Sequence, residues 1–126
     1  MDEAAENNIV AEGRWGKVIC AVCNDGSMPA LKFINRLKKE TGTDWQRLSV
    51  LFQRMASEGK IWNNEQFKQV SDKIFEFKRY QIRIGCFQQG NTWVLTHGFV
   101  KKENRWKKTE IERAVRIMRE HLEGSP

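Results

Sequence analysis

An α+β fold is what this sequence predicts, and three observations predict it. A short apolar run lies near the start, two stretches with helical apolar spacing follow, and the spacing then changes to period two before a last amphipathic stretch. Together they describe an N-terminal strand and helix hairpin packed on a small, largely antiparallel sheet, with a C-terminal helix. At 126 residues the chain suits one domain with its own core.

Residues 1–12, MDEAAENNIVAE, are polar, acidic and poor in core formers, so a flexible leader is expected there. Val18 to Val22 is a nearly continuous apolar run of strand length, closed by the turn signal Asn24-Asp25-Gly26. Ser27 is placed to cap a helix that has Pro29 in its first turn, where a missing amide donor does no harm. Leu31, Phe33, Ile34 and Leu37 form its apolar stripe, and Gly42 marks its end. Asp44 offers a cap to a second helix, in which Trp45, Leu48, Leu51, Phe52 and Met55 recur at three- and four-residue spacing until Gly59.

Residues 60–72 are irregular, with Trp62 and Phe67 expected as core anchors. Alternation follows, with Phe75 and Phe77 on one strand and Tyr80, Ile82, Ile84 and Cys86 on the next. Gln89-Gly90-Asn91 is a hairpin turn into the returning strand TWVLTHGFV. The last helix has a capping-box start, Thr109 with Glu112, and an apolar stripe of Ile111, Ala114, Val115, Met118 and Leu122. Arg113, Arg116 and Arg119 lie off that stripe and should face water, and residues 123–126 form a short tail, leaving 13–122 as the folded domain.

Charge narrows the function. Lys and Arg number 22 against 16 Asp and Glu, a formal charge of +6 that attracts polyanions, nucleic acid first among them. The asymmetry is sharper than the total, because Asp2, Glu3, Glu6 and Glu12 make the start acidic, whereas the cations between Lys78 and Lys108 face only Glu103. No apolar run approaches the roughly 20 residues of a membrane span and no basic-then-apolar leader opens the chain, so a cytoplasmic protein is expected. Cys20, Cys23 and Cys86 are odd in number, which favours free thiols over a disulfide framework.

Within the basic half, Arg83 stands out because Ile82 and Ile84 alternate away from it, so its guanidinium emerges on the opposite face, suited to gripping a phosphate. Pairing with a carboxylate is the plainer alternative. Lys101 and Lys102 leave the sheet at the end of a strand, where the ladder still positions them. Lys78, Arg79, Arg105, Lys107 and Lys108 extend the patch as backbone-binding cations, and Trp106 offers either a stacking surface for an exposed base or a core anchor. His97 is the obvious acid–base candidate, but on an apolar strand face the structural role is preferred; His121 is expected to be exposed. In CAVC, an offset of three in a strand sends the thiols to opposite faces, and neither a second Cys pair nor clustered acidic ligands occur. No phosphate loop, dinucleotide fingerprint or nucleophile elbow is found, so neither cofactor nor metal is expected.

The segments IFEFK, IRIGCFQQGNTWVLTHGFVKK and KKTEIERAVRI, from Ile74 to Arg116, resemble the RelE/HigB superfamily of toxin–antitoxin toxins, especially its phage-associated branch. HGFVKK followed by EIERA is the most specific part. Carried onto this chain, the resemblance aligns the family's strand arginine with Arg83, places Lys78 where ELR ends, and keeps His97, Lys101 and Lys102. The family's TQKTP linker is replaced by ENRWKKT, which supplies Arg105 and Trp106, and the family's C-terminal tyrosine has no counterpart. What the resemblance implies is a RelE-like domain acting as a metal-independent mRNA endoribonuclease on translated, ribosome-bound message, inhibiting translation and neutralised by a small antitoxin of helix-turn-helix type. Arg83, Lys101, Lys102 and, less favoured, His97 would be its catalytic group. A noncatalytic RNA- or ribosome-binding module, or an antitoxin-binding protein without cleavage, are the alternatives.

Overall fold

The structure, a computed structural model, describes residues 8–103 and 105–124. Its elements in chain order are β1 (Ile9–Glu12), β2 (Lys17–Cys20), α1 (Pro29–Glu40), α2 (Gly42–Glu58), β3 (Phe67–Gln69), β4 (Phe75–Arg79), β5 (Ile82–Gln89), β6 (Thr92–Val100) and α3 (Lys108–Glu123). The strands form one six-stranded mixed sheet in the order β1-β2-β6-β5-β4-β3. Only the β2–β6 pairing is parallel among the described strands; the other ladders are antiparallel. The α+β layout read from the pattern is therefore the observed one.

Alternation in the strands builds two cores. Phe77, Ile82, Ile84, Cys86, Trp93 and Leu95 pack with the stripes of α1 and α2 on one face. Ala21, Ile74, Phe87, Val94 and Trp106 pack with Ala114 and Ile117 of α3 on the other. Because both faces are covered, Ile82 through Phe87 are all buried, and the off-face positions of β5 are not wet as simple alternation suggests.

Several local expectations are corrected. Ile9–Glu12, assigned to the flexible leader, pair with β2 as an edge strand, and residues 1–7 lie outside the described residues. Met28, not Ser27, is the N-cap of α1, because the Ser27 hydroxyl donates to Asp25 Oδ1 at 2.6 Å. Thr41 caps α2, leaving Asp44 in its first turn, and α3 starts at Lys108, one residue before the expected Thr109 cap. Along α3 the buried stripe runs through Ala114 and Ile117, while Val115 and Leu122 are exposed. His121, expected at the surface, is half-buried and accepts a hydrogen bond from the Val22 amide at 3.0 Å. Phe67 is the core anchor it was expected to be, but Trp62 is 82% exposed.

One irregularity sets the sheet's geometry. The β5–β6 register passes from Ile84↔Gly98 to Cys86↔Leu95, so Thr96 and His97 together oppose Gly85. This is a β-bulge, and it shifts the alternation of β6 by one. Leu95 therefore belongs to the α1/α2 core, while His97 stacks on Phe99 over the α3 face. Gly85 accommodates the bulge, since a Cβ there would lie 2.7 Å from Thr96 Oγ1 and 2.8 Å from the Trp106 ring.

Candidate nucleic-acid interface

The predicted cations of β4, β5 and the end of β6 converge at one end of the sheet, around a residue the sequence reading passed over. Glu76 is fully buried on β4, two ladder pairs from Lys78↔Arg83 and so on the same face. Arg83 Nε lies 3.1 Å from Glu76 Oε1 as an ion pair, without the alignment of a hydrogen bond. The same oxygen accepts the Trp106 indole N–H at 2.9 Å. Arg83 Nη1 donates to the carbonyls of Tyr80 and Ile82. Arg83 does emerge opposite Ile82 and Ile84, but it is 6% exposed and much of its fork is already engaged. It stands as a fixed charge in the wall rather than an open clamp.

Trp106 resolves in favour of the core. Its ring meets Phe99 edge-on at 4.7 Å and is buried, so it presents no free face for a base. His97 is likewise structural in its setting: it is buried, with Nε2 3.2 Å from Glu110 Oε1 and Nδ1 3.2 Å from Thr96 Oγ1. Burial lowers its pKa to about 4, with the Glu110 carboxylate opposing, so at neutral pH the ring is uncharged.

Lys101 is better placed. Its backbone amide donates to the Gln81 carbonyl at 2.7 Å, which carries the ladder one residue beyond β6. Burial lowers its pKa, and the charges of Arg83, Lys68 and Lys78 lower it further against the pull of Glu76. Lys101, Lys68, Arg105 and Lys108 line a cleft of about 610 Å³ floored by Glu76 and Trp106. A second cleft of about 610 Å³ opens beside it, lined by Lys78, Arg79, Tyr80 and Arg83 together with Arg47 and Arg54 of α2. The Arg83–Glu76 pair is the partition between them, Arg83 facing one and Glu76 the other. Arg79 is held by Asp44 at 2.8 Å and covers the exposed Tyr80 ring at 4.0 Å.

Lys102 and Lys107 stand outside this convergence, on a smaller hollow of about 170 Å³ across the 101–107 loop. Arg47, Arg54, Lys68, Tyr80 and Glu76 were not foreseen. Arg47 and Arg54 are seven apart and off the α2 stripe, which places them on one helix side, but only the sheet order brings that side to Arg79. Among the described residues no group of three His, Cys, Asp or Glu side chains could hold a metal ion, and no helix is long and apolar enough to cross a membrane. Cys20 and Cys23 fall in the two opposite cores as expected, but not by strand offset, because β2 ends at Cys20 and Cys23 lies in the segment after it.

The family model described as phage derived protein Gp49-like (DUF891) matches residues 32–119, more than half of the chain. The chain belongs to the Gp49-like family. Gp49-like proteins are phage-derived and belong to the RelE/HigB-type toxins, which are associated with toxin–antitoxin systems. A comparison with curated proteins gives no match. In this Gp49-like chain the shared segment runs from α1 into α3, so it contains both basic clefts and the Arg83–Glu76 partition, while β1 and β2 lie outside it.

Proposed function

We propose that this Gp49-like protein is the toxin of a toxin–antitoxin system and an mRNA endoribonuclease that acts on translated message and so inhibits translation. The observation that carries the reading is the crowding of Lys68, Lys78, Arg83 and Lys101 around one buried carboxylate, at the mouth of two basic clefts. Such a site holds a strand's phosphates and places fixed positive charge where a phosphorane develops negative charge. The chemistry that needs only such groups is attack of the ribose 2′-oxygen on the adjacent phosphorus, its proton passing to solvent water, with the P–O2′ bond forming as the P–O5′ bond breaks to give a cyclic phosphate and a free 5′-hydroxyl. Lys101, an ammonium made more acidic by burial and then by the cations around it, donates a proton to the leaving oxygen. Arg83 stabilises the phosphorane as a wall charge, Glu76 positions Arg83, and Lys78, Arg79, Arg105 and Lys108 with Arg47 and Arg54 hold the flanking backbone. Lys102 and Lys107 add long-range attraction, and His97 supports the sheet.

A cytoplasmic site of action, the ribosome and a small helix-turn-helix antitoxin belong to the same proposal. A noncatalytic RNA-binding module is the second reading, favoured by the engagement of Arg83 Nη1 with two backbone carbonyls.

Inducing the chain and its Lys101→Met variant in bacteria while mapping new RNA ends separates the readings. Wild type should arrest growth with fresh cuts in translated messages, and the variant should lose about a hundredfold in cleavage while still binding RNA. A folded wild type that leaves messages whole with ribosomes present would reject cleavage and leave the binding module.

A further inference from the structure

On the α1/α2 side of β3 a groove of about 440 Å³ is lined by Trp15, Trp62, Phe67, Phe75 and Trp93 with Lys60 and Lys68 at its rim. Its base is rigid. The Trp15 ring packs so closely on Gly59 that a Cβ there would sit 2.5 Å away, and the Trp93 indole N–H donates to the Gly59 carbonyl at 3.3 Å. Phe67 and Phe75 stack at 5.5 Å, and each meets Trp93 edge-on. Trp62, by contrast, projects from the wall into solvent, with the Lys60 ammonium 4.8 Å from its ring centroid. A large aromatic left in water beside an aromatic groove marks a binding surface rather than a core residue.

Two observations say what binds. The groove's charged rim is cationic except for Glu58, and Asn64, Gln69 and Gln88 bring amide groups to its lining, so it suits a planar, hydrogen-bonding ring carried on an anionic chain. Lys68 and Gln69 line both this groove and the Lys101 cleft, so the two meet around the edge strand β3. We infer that the groove is a nucleobase subsite for single-stranded RNA leaving the Lys101 cleft around β3, with a base stacked on Trp62 and the adjoining phosphates held by Lys60 and Lys68. This rests on the RNA reading of the cleft, which it extends to an unpaired nucleotide beyond the reacting phosphate.

The test uses anisotropy of labelled oligo-adenosine and oligo-uridine with the full chain, its Trp62→Ala, Trp62→Phe and Lys60→Ala variants, and Arg105→Ala in the Lys101 cleft, across a salt series. Trp62→Ala should weaken oligo-adenosine binding roughly five- to a hundredfold and reduce its advantage over oligo-uridine, because purines stack more strongly. Trp62→Phe should retain most of the affinity. The salt slope should stay as in wild type for both, since no phosphate contact is removed, whereas Lys60→Ala should lower it. Unchanged binding by Trp62→Ala beside weakened binding by Arg105→Ala overturns the subsite and leaves the cleft reading standing. Failure of the wild type to bind either oligonucleotide at low salt overturns both. A poly-glutamate peptide whose binding depends on Trp62, with RNA binding independent of it, assigns the groove to an acidic protein segment and overturns the subsite.

Discussion

Arg83 and Glu76 show how a single residue can be foreseen and still be misjudged. Period two correctly sends the Arg83 side chain away from Ile82 and Ile84, but nothing local says that α3 and Trp106 cover that face. A charge placed there must be matched, and Glu76 matches it while also receiving the Trp106 indole. Glu76→Ala should therefore destabilise the fold by about 3–5 kcal/mol in urea unfolding, because it strands a buried guanidinium. Arg83→Met with Glu76→Leu should cost less than the two single changes added together, and strict additivity would show that the pair is not coupled. His97 gives a pH signature. Its folded pKa, about 4, lies below its ordinary 6.5. Above 6.5 both states are neutral; as pH falls toward 4 the unfolded chain takes a proton the folded chain lacks, so stability drops across that window and levels below it. His97→Gln should flatten this part of the urea-midpoint profile, and an unchanged slope would exclude His97 as its source.

Elements with a dense periodic pattern were legible, and their ends were not. Of the stripe predicted for α2, Leu48, Leu51, Phe52 and Met55 are buried and Trp45, in the first turn, is half-buried. The start of α1 was misplaced by one residue because Ser27 has a competing partner in Asp25, a choice that short polar side chains make locally. The packing of α1 on β6 depends on Gly98, where a Cβ would lie 2.2 Å from the Phe33 ring. Gly98→Ala should cost about 1–3 kcal/mol, and adding Phe33→Leu should recover part of it; a thermal midpoint unmoved by Gly98→Ala would mean that the helix slides freely. Seen this way, most of the HGFVKK segment is architecture: His97 and Phe99 build the α3 face and Gly98 admits α1, while Lys101 alone reaches the main clefts.

At the scale of the whole molecule, composition points to a polyanion partner, but the order of the strands decides which cations lie together. Arg47, Arg54, Lys68 and Lys101 are far apart in sequence and meet at one end of the sheet, so no window of the chain contains the site. Alanine at Arg54 or Lys78 should each lower the slope of log affinity against log salt for single-stranded RNA by about 0.7, whereas Arg113→Ala, on the exposed side of α3, should leave it unchanged. Equal effects at all three would mean diffuse attraction without a site. The extra residue at Thr96–His97 has a consequence for this arrangement. Counting by twos from Leu95, an unbroken strand would deliver Lys101 to the layer of α1 and α2; with one residue too many, the count changes from odd to even and Lys101 arrives beside Glu76 and Trp106 instead. The handedness of the charged face is thus a matter of parity, and deleting one residue from the strand would send the ammonium through to the far side of the sheet with composition and net charge almost untouched.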